Sequence, residues 1–245
     1  MAWIYLSPHL DDAILSCGGL IHKQVHSQVI VEVWTIFAGD PPEGRISSYA
    51  VEQHNRWKPN ENYPELRRAE DILACQQIGA RHRHLPFQDC IYRQSKNGRW
   101  LYDTESAIFG NISRDDESTI EIIRTFLRTA LKPSDHVVLP LAIGNHVDHQ
   151  ITRKAMKHID QQIHFYADIP YVIQQTNNLA KETQKMKSDI HDLSKSNLAN
   201  WENSILHYAS QIKTLFGDEG KMCEFITNYY NHSNGFYLWR PEPVS

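Results

Sequence analysis

Apolar positions in this chain fall into short β-branched or aromatic runs separated by amphipathic segments, the alternation expected of a mostly parallel sheet covered by helices. Trp3-Ile4-Tyr5-Leu6 reads as a buried strand, and Ser7-Pro8-His9-Leu10-Asp11-Asp12 follows it, opening a helix predicted from Asp12 to about Gln24. Val29 to Phe37 has the composition of a second strand. From Gly39 to Pro64, Pro, Asn, Gly and Glu dominate, which predicts a lid-like loop with a short helical turn around Ser48 to Trp57. Leu66, Ala69, Ile72, Leu73 and Ile78 lie near helical spacing, with Gly79 placed for a left-handed cap. Arg67, Arg68 and Glu70 on the other side of that helix read as a solvated charged face.

His82 to Phe87 reads as a third strand, and Asn97-Gly98 centres a predicted hairpin between Ile91 and Tyr102. A helix starting at Ser113 carries Ile120, Ile123, Phe126, Leu127 and Leu131 on one side and stops near Lys132-Pro133. Asp135 to Leu141 is a further central strand, followed by Ala142-Ile143-Gly144-Asn145-His146-Val147-Asp148-His149 and a helix to about Ile159. Ile163 to Ala167 is another strand. Gln174 to Lys195 is polar and lysine-rich, predicting a flexible excursion or a solvent-facing helix. Trp201, Ile205, Tyr208, Ile212 and Leu215 predict one last helix, and Phe236 to Trp239 an edge strand. The pattern is α/β throughout: a single domain over residues 1–245, with a core of about 1–170, an inserted hairpin and a helical C-terminal extension of about 171–245.

Charge narrows the partners. A net charge of −4 and a pI near 6.4 offer no basic face for nucleic acid and no polybasic tract for a membrane. The four cysteines are widely spaced with no Cys-x-x-Cys pair, and no window approaches a membrane span, so a cytoplasmic enzyme or binding protein for a small molecule is expected. A homo-oligomer is compatible with this composition.

The chemistry gathers at two strand ends, the edge where open α/β sheets bind ligands. A catalytic metal site takes three protein ligands and keeps a position open for water. His9, Asp12 and one of His146 or His149 supply that count, and Asp11 is then left beside the water as a general base. The competing reading makes Asp11 and Asp12 helix-capping acids. It treats each of the 14 histidines as ordinary, but their joint placement at strand ends favours the metal. Trp57, Tyr92, Trp100 and Tyr102 in the inserted segments suit either sugar stacking or a subunit interface. No Gly-x-Gly-x-x-Gly follows the first strand, which disfavours a dinucleotide site.

Pro8-His9-x-Asp11-Asp12 with Gly18-Gly19, then Arg67-x-x-Glu70 leading to Ala74 and Ile78-Gly79, then Leu85-Pro86-Phe87-x-Asp89, then His146-x-Asp148-His149, resemble in order the motifs of the PIG-L/LmbE-like zinc deacetylases. That family includes N-acetylglucosaminyl-phosphatidylinositol deacetylases and the deacetylases of mycothiol and bacillithiol synthesis. The resemblance covers about residues 3 to 170, with Tyr208-x-Ser210-Gln211 as a weaker echo; Leu10 and Val147 stand where the usual motifs have proline. It implies a Rossmann-like three-layer fold and hydrolysis of an N-acyl, usually N-acetyl, group on an amino-sugar conjugate. By position, His9, Asp12 and His149 would hold zinc, with Fe²⁺ or another divalent ion as a substitute, and Asp11 would be the base. His146, oriented by Asp148, would stabilise the oxyanion, and Arg67 and Asp89 would contact substrate, with Arg68 a neighbouring candidate. A catalytically silent sugar-binding or regulatory member of the same fold, or a metal hydrolase of another amide or an ester, is the alternative.

Overall fold

Ile4, Tyr5 and Leu6 are almost wholly buried, and the strand they form, β1 (Trp3–Ser7), lies inside the sheet rather than at its edge. The structure, a computed structural model, describes residues 1–57 and 63–242, without the side chains of Trp57 and Gln174. After β1 come α1 (Asp12–His26), β2 (Val31–Thr35), α2 (Ser48–Trp57), α3 (Tyr63–Gln77), β3 (Arg81–His84), α4 (Glu105–Ile108), α5 (Glu117–Ala130) and β4 (His136–Pro140). Next are α6 (Val147–Ala155), β5 (Gln162–Tyr166), α7 (Tyr171–Gln174), α8 (Thr176–Thr183) and β6 (Met186–His191). The chain ends with α9 (Lys195–Ile205), α10 (Ala209–Leu215), α11 (Glu219–Ser233) and β7 (Phe236–Pro241).

Among the described residues the strands form one seven-stranded sheet in the order β3-β2-β1-β4-β5-β7-β6. The first five run parallel, while β7 is antiparallel to both β5 and β6. Trp3 pairs with Val31 on one side and His136 on the other, so the carboxyl ends of β1, β2 and β4 finish at one level. Strand order runs outward in opposite directions from β1 and β4, and right-handed crossovers therefore put α1 and α3 on one face and α5 and α6 on the other. This is the three-layer, mostly parallel architecture expected.

Gly18 and Gly19 lie inside α1, each at a cost of about 1 kcal/mol in helix propensity. They are there because α9 crosses at that point: a Cβ on Gly18 would lie 2.5 Å from Trp201 Cδ1, and one on Gly19 2.8 Å from Leu193 Cδ1. The Trp201 indole, wholly buried, donates to the carbonyls of Ile14 at 2.9 Å and Leu15 at 3.2 Å. The C-terminal segment is thus bolted onto the first helix of the sheet domain.

Several expectations are corrected. The charged face of α3 is not solvated: Glu70 and Asp71 are buried, Glu70 accepting from Ser210 N at 2.9 Å and Ser210 Oγ at 2.6 Å, and Asp71 from Tyr208 Oη at 2.6 Å. Those bonds hold the chain at 206–208 and split the expected last helix into α9 and α10. The polar stretch after Gln174 forms α8 and then β6, whose Met-Lys-Ser-Asp-Ile-His sequence has no clean alternation because most of its side chains are solvated. β6 takes the sheet edge, so β7 is internal, not the edge strand anticipated. Ser48 to Trp57 is a ten-residue helix rather than a single turn. The hairpin survives only as a tight turn, with a Gln94–Trp100 bridge and Gly98 at φ +75°, because Cys90–Tyr92 forms a 3-10 turn instead of a strand.

Two tests follow from this packing. Gly18→Ala restores helix propensity but drives a methyl into Trp201, for an expected net loss of about 1–2 kcal/mol in urea unfolding. His164, on β5 beneath Trp3, faces His136 of β4, Asp189 and His191 of β6 and Arg240 of β7. Burial, reinforced by His136, brings its pKa down to about 4. The unfolded chain therefore binds a proton between pH 6.5 and 4 that the folded chain refuses, so this residue's contribution to stability is lost on acidification. His164→Gln is expected to lose less stability than the parent between pH 7 and pH 5, and equal losses would show that His164 does not matter there.

Candidate active site

Helix α1 begins where β1 ends, and its amide groups need acceptors. Ser7 provides one: its hydroxyl accepts from Ala13 N at 2.9 Å while donating to His9 O at 2.6 Å. Neither aspartate is needed as an acceptor for α1. Asp11 makes no side-chain cap and lies instead 3.0 Å from Arg67 Nη2 through Oδ2. Asp12 Oδ2 accepts from His9 N at 2.8 Å and sits 3.3 Å from His9 Nδ1 and 3.3 Å from His149 Nε2. The simple capping explanation of the acid pair is thereby set aside.

At the end of β4, His146 is the N-cap of α6, its Nδ1 accepting from Asp148 N at 3.2 Å. Asp148 thus meets His146 through its amide, while its carboxylate takes other hydrogen-bond partners. Fully buried, it accepts from Cys90 N at 3.0 Å and His9 Nε2 at 3.0 Å and pairs with Arg93. A third strand end joins the site, because Asp168, just past β5, accepts from His149 Nδ1 at 2.6 Å and from Ile143 N at 3.2 Å. Ser7, Arg93 and Asp168 were not singled out from sequence. Asp168 carried a signal, an acid at the carboxyl end of a parallel strand; Arg93 carried none.

The electrostatics follow from burial set against these partners. Burial works against a charged His9 and a charged His149, yet the flanking carboxylates outweigh it and raise His9 well above the ordinary imidazole value and His149 to about 9. His146, buried beside two other imidazoles, is held well below that value and stays neutral. Burial lifts the Asp11 carboxyl to about 6 against the pull of Arg67. Asp12 and Asp148 stay well below the carboxylate range despite burial, because of His149 and His9 for Asp12 and Arg93 and His9 for Asp148. Imidazoles that cling to protons mark surplus negative charge around the point shared by His9, Asp12 and His149. Two ring nitrogens and one carboxylate oxygen are also the donor set of a catalytic divalent ion, one ligand short of closure. The residues present fit such an ion: the Asp12 carboxylate lies 3.3 Å from both His9 Nδ1 and His149 Nε2, and one ring nitrogen from each of His9, His146 and His149 lies within 4.8 Å of the others.

A cavity of about 220 Å³ opens over this cluster, with Asp11, Arg67, Asp89 and His146 in its wall and Tyr49 and Gln53 of α2 across from them. Arg67 and Asp89, expected to contact substrate, both lie in this wall. Asp89 accepts from Ile91 N at 3.1 Å, with its other oxygen 3.7 Å from His9 Nε2. Arg68 does not join them; it holds the loop, donating to Ala38 O at 3.0 Å and Asp40 Oδ1 at 2.8 Å. Gln211 lines the cavity, whereas Tyr208 and Ser210 serve Asp71 and Glu70. Tyr92 and Tyr102 are buried in a small cluster with Cys90, Ile91 and Val147, which excludes them from sugar stacking; the side chain of Trp57 lies outside the described residues. Among the described residues, no helix is long and apolar enough to cross a membrane.

Comparison with known proteins identifies the family of the chain. The chain is 28% identical over 239 residues to the 2'-N-acetylparomamine deacetylase of Niallia circulans, covering 90% of this chain and 84% of the relative. It is also 28% identical over 182 residues to the enzyme of the same description from Streptomyces fradiae, covering 69% of this chain and 57% of that relative. Among solved structures, the zinc-inhibited form of a teicoplanin deacetylase superposes with a TM-score of 0.84 at 26% identity, over 100% of both chains. The deacetylase of the A40926 pseudoaglycone gives 0.76 at 26% identity, over 98% of this chain and 96% of the other. The family model described as PIG-L, GlcNAc-PI de-N-acetylase, matches residues 4–159, well over half of the sequence, and the chain belongs to that family.

Proposed function

We propose that this protein removes an N-acyl group, in the first instance N-acetyl, from a small amino-sugar conjugate by metal-dependent hydrolysis. The observation that carries this reading is the division of labour between two adjacent acids. Asp12 lies equidistant, at 3.3 Å, from the facing nitrogens of His9 and His149, while Asp11 turns away to Arg67 on the cavity wall. His9, Asp12 and His149 would hold zinc, or Fe²⁺ or another divalent ion in its place. When bound, the ion supplies a Lewis acid that polarises the acyl carbonyl and acidifies water.

The chain's own residues do the rest. Asp11, adjoining the ligands without being one of them, takes the proton from the attacking water and returns it to the departing amine. Arg67 at 3.0 Å keeps that carboxylate oriented and charged against its burial. His146 accepts at Nδ1 from Asp148 N, so its ring proton resides on Nε2, where a neutral imidazole donates to the developing oxyanion. Arg67 and Asp89 are assigned to substrate hydroxyls or a pendant group, as cavity-lining polar groups. Asp168 locks the His149 ring from behind, as carboxylates commonly do for metal-bound imidazoles. The activities named for the relatives, a 2'-N-acetylparomamine deacetylase and a teicoplanin deacetylase, support an N-acetylated amino sugar as the substrate class.

Three variants test this reading. The parent is expected to carry about one divalent ion per chain, and His149→Ala to lose it. Asp168→Asn is expected to bind zinc on the order of 10–100-fold more weakly. Asp11→Asn should keep its metal yet release acetate from N-acetylglucosamine conjugates slower by roughly two to four powers of ten. A parent protein that takes up no metal even after reconstitution would overturn the proposal.

A further inference from the structure

Arg93 follows the 3-10 turn Cys90–Tyr92 and is buried, with a guanidinium that serves three acceptors. Nη1 donates to Gln88 O at 3.0 Å, Nη2 pairs with Asp148 Oδ1, and Nε lies 3.0 Å from Asp116 Oδ2, as an ion pair rather than an aligned hydrogen bond. The rings of Phe37 and Tyr102 cover it, with centroids 4.9 and 5.5 Å away. Arg93 itself does not line the cavity over the cluster. Its hydrogen-bonded path to the site runs through Asp148, whose second oxygen accepts from Cys90 N at 3.0 Å and His9 Nε2 at 3.0 Å; the Phe37 ring that covers it also lies beside His9, centroids 6.3 Å apart.

That path settles which nitrogen of His9 faces the centre. A carboxylate pinned by a guanidinium and a backbone amide is rigid and anionic, so the group it meets on His9 is an N–H donor. With Nε2 committed to Asp148, Nδ1 is the nitrogen left beside Asp12, at 3.3 Å. His149 is treated the same way with the atoms exchanged: Asp168 takes Nδ1, and Nε2 faces Asp12 at 3.3 Å. The two rings differ in one respect. Among the described residues, Asp168 has no guanidinium behind it, whereas the Asp148 carboxylate is aimed by Arg93.

We propose that Arg93 is a positioning residue for the metal centre: through Asp148 it holds the His9 ring by Nε2–H and keeps Nδ1 turned to the ligand position beside Asp12. Lysine does not replace it, because only a planar fork meets Asp148, Asp116 and Gln88 together. The inference rests on the metal-site reading above, and the test is arranged to separate the two.

The protein is produced full length with ¹⁵N-histidine, and two quantities are read: zinc affinity by competition with a chromophoric chelator, and the His9 Nε2–H proton resonance with and without zinc. In the parent that resonance is expected far downfield and protected from exchange in both states. Arg93→Lys is expected to weaken zinc binding by about 10–100-fold and to shift or broaden the His9 signal, with the melting temperature recorded alongside. Arg93→Gln, which keeps one donor toward the carboxylate, supplies the same readings if the lysine variant does not fold. Asp116→Asn loosens Arg93 from its far side only; it should lower the melting temperature while zinc affinity and the His9 signal stay at parental values. In an Asp148→Asn background, Arg93→Lys should weaken zinc no further. The proposal is overturned if Arg93→Lys binds zinc as the parent does, or if Asp116→Asn loses zinc affinity as much as Arg93→Lys. If the parent binds no zinc, the metal-site reading falls, and a His9 signal unchanged in Arg93→Lys then removes the positioning role as well.

Discussion

Four carboxylates, those of Asp11, Asp12, Asp148 and Asp168, are buried together where β1, β4 and β5 end, and the rest of the site is a response to that fact. Leaving any one of them without a partner would cost several kcal/mol, a large part of a domain's net stability. Each therefore has compensation of its own: Arg67 for Asp11, the imidazoles of His9 and His149 for Asp12, Arg93 and His9 for Asp148, and His149 for Asp168. The compensation is incomplete at one place. Among the described residues, the hydrogen-bonding and ion-pair partners of the Asp12 carboxylate are the His9 amide and the imidazoles of His9 and His149, with no guanidinium or ammonium.

The same economy of charge explains how the late part of the chain belongs to the early part. Glu70 and Asp71 on α3 are buried beside α10 because Tyr208, Ser210 N and Ser210 Oγ satisfy them. Gln211, the next residue, is thereby brought to the cavity wall. Trp201 completes the attachment by seating its indole on the paired glycines of α1, and its donor on carbonyls that the crossing leaves reachable. A motif glycine pair inside a helix thus records a crossing from about 180 residues away in sequence, rather than a phosphate-binding turn.

What was legible in the sequence had local causes. Strand β1, helix α1 and the strand-to-helix placement of His9, Asp11, Asp12, His146 and His149 follow from period and composition over short windows. The cavity residues Arg67 and Asp89 rested on resemblance alone, since periodicity read Arg67 as solvated. Where the cause is distant, nothing local announces it. The polar strand β6 exists because β7 offers it backbone partners, the break before α10 because α3 offers buried acids, and the burial of Arg93 because Asp116 and Asp148 converge on it from two other elements. Asp168 lay in plain view at a strand end but looked no different from an ordinary turn acid until His149 was found on it.

The difference in partners between Asp11 and Asp12 has the smallest cause of all. Adjacent, identical in chemistry and both at the start of a helix, they would be expected to share the work of accepting from its free amides. Ser7, the last residue of β1, removes that need by accepting from Ala13 N, and its own proton goes to His9 O, which fixes the turn between strand and helix. Asp12 then points inward along α1, where His9 N and two ring nitrogens await it, and Asp11, at the preceding position on the helix, points to Arg67. A hydroxyl that lines no part of the cavity is what lets two adjacent carboxylates take different partners.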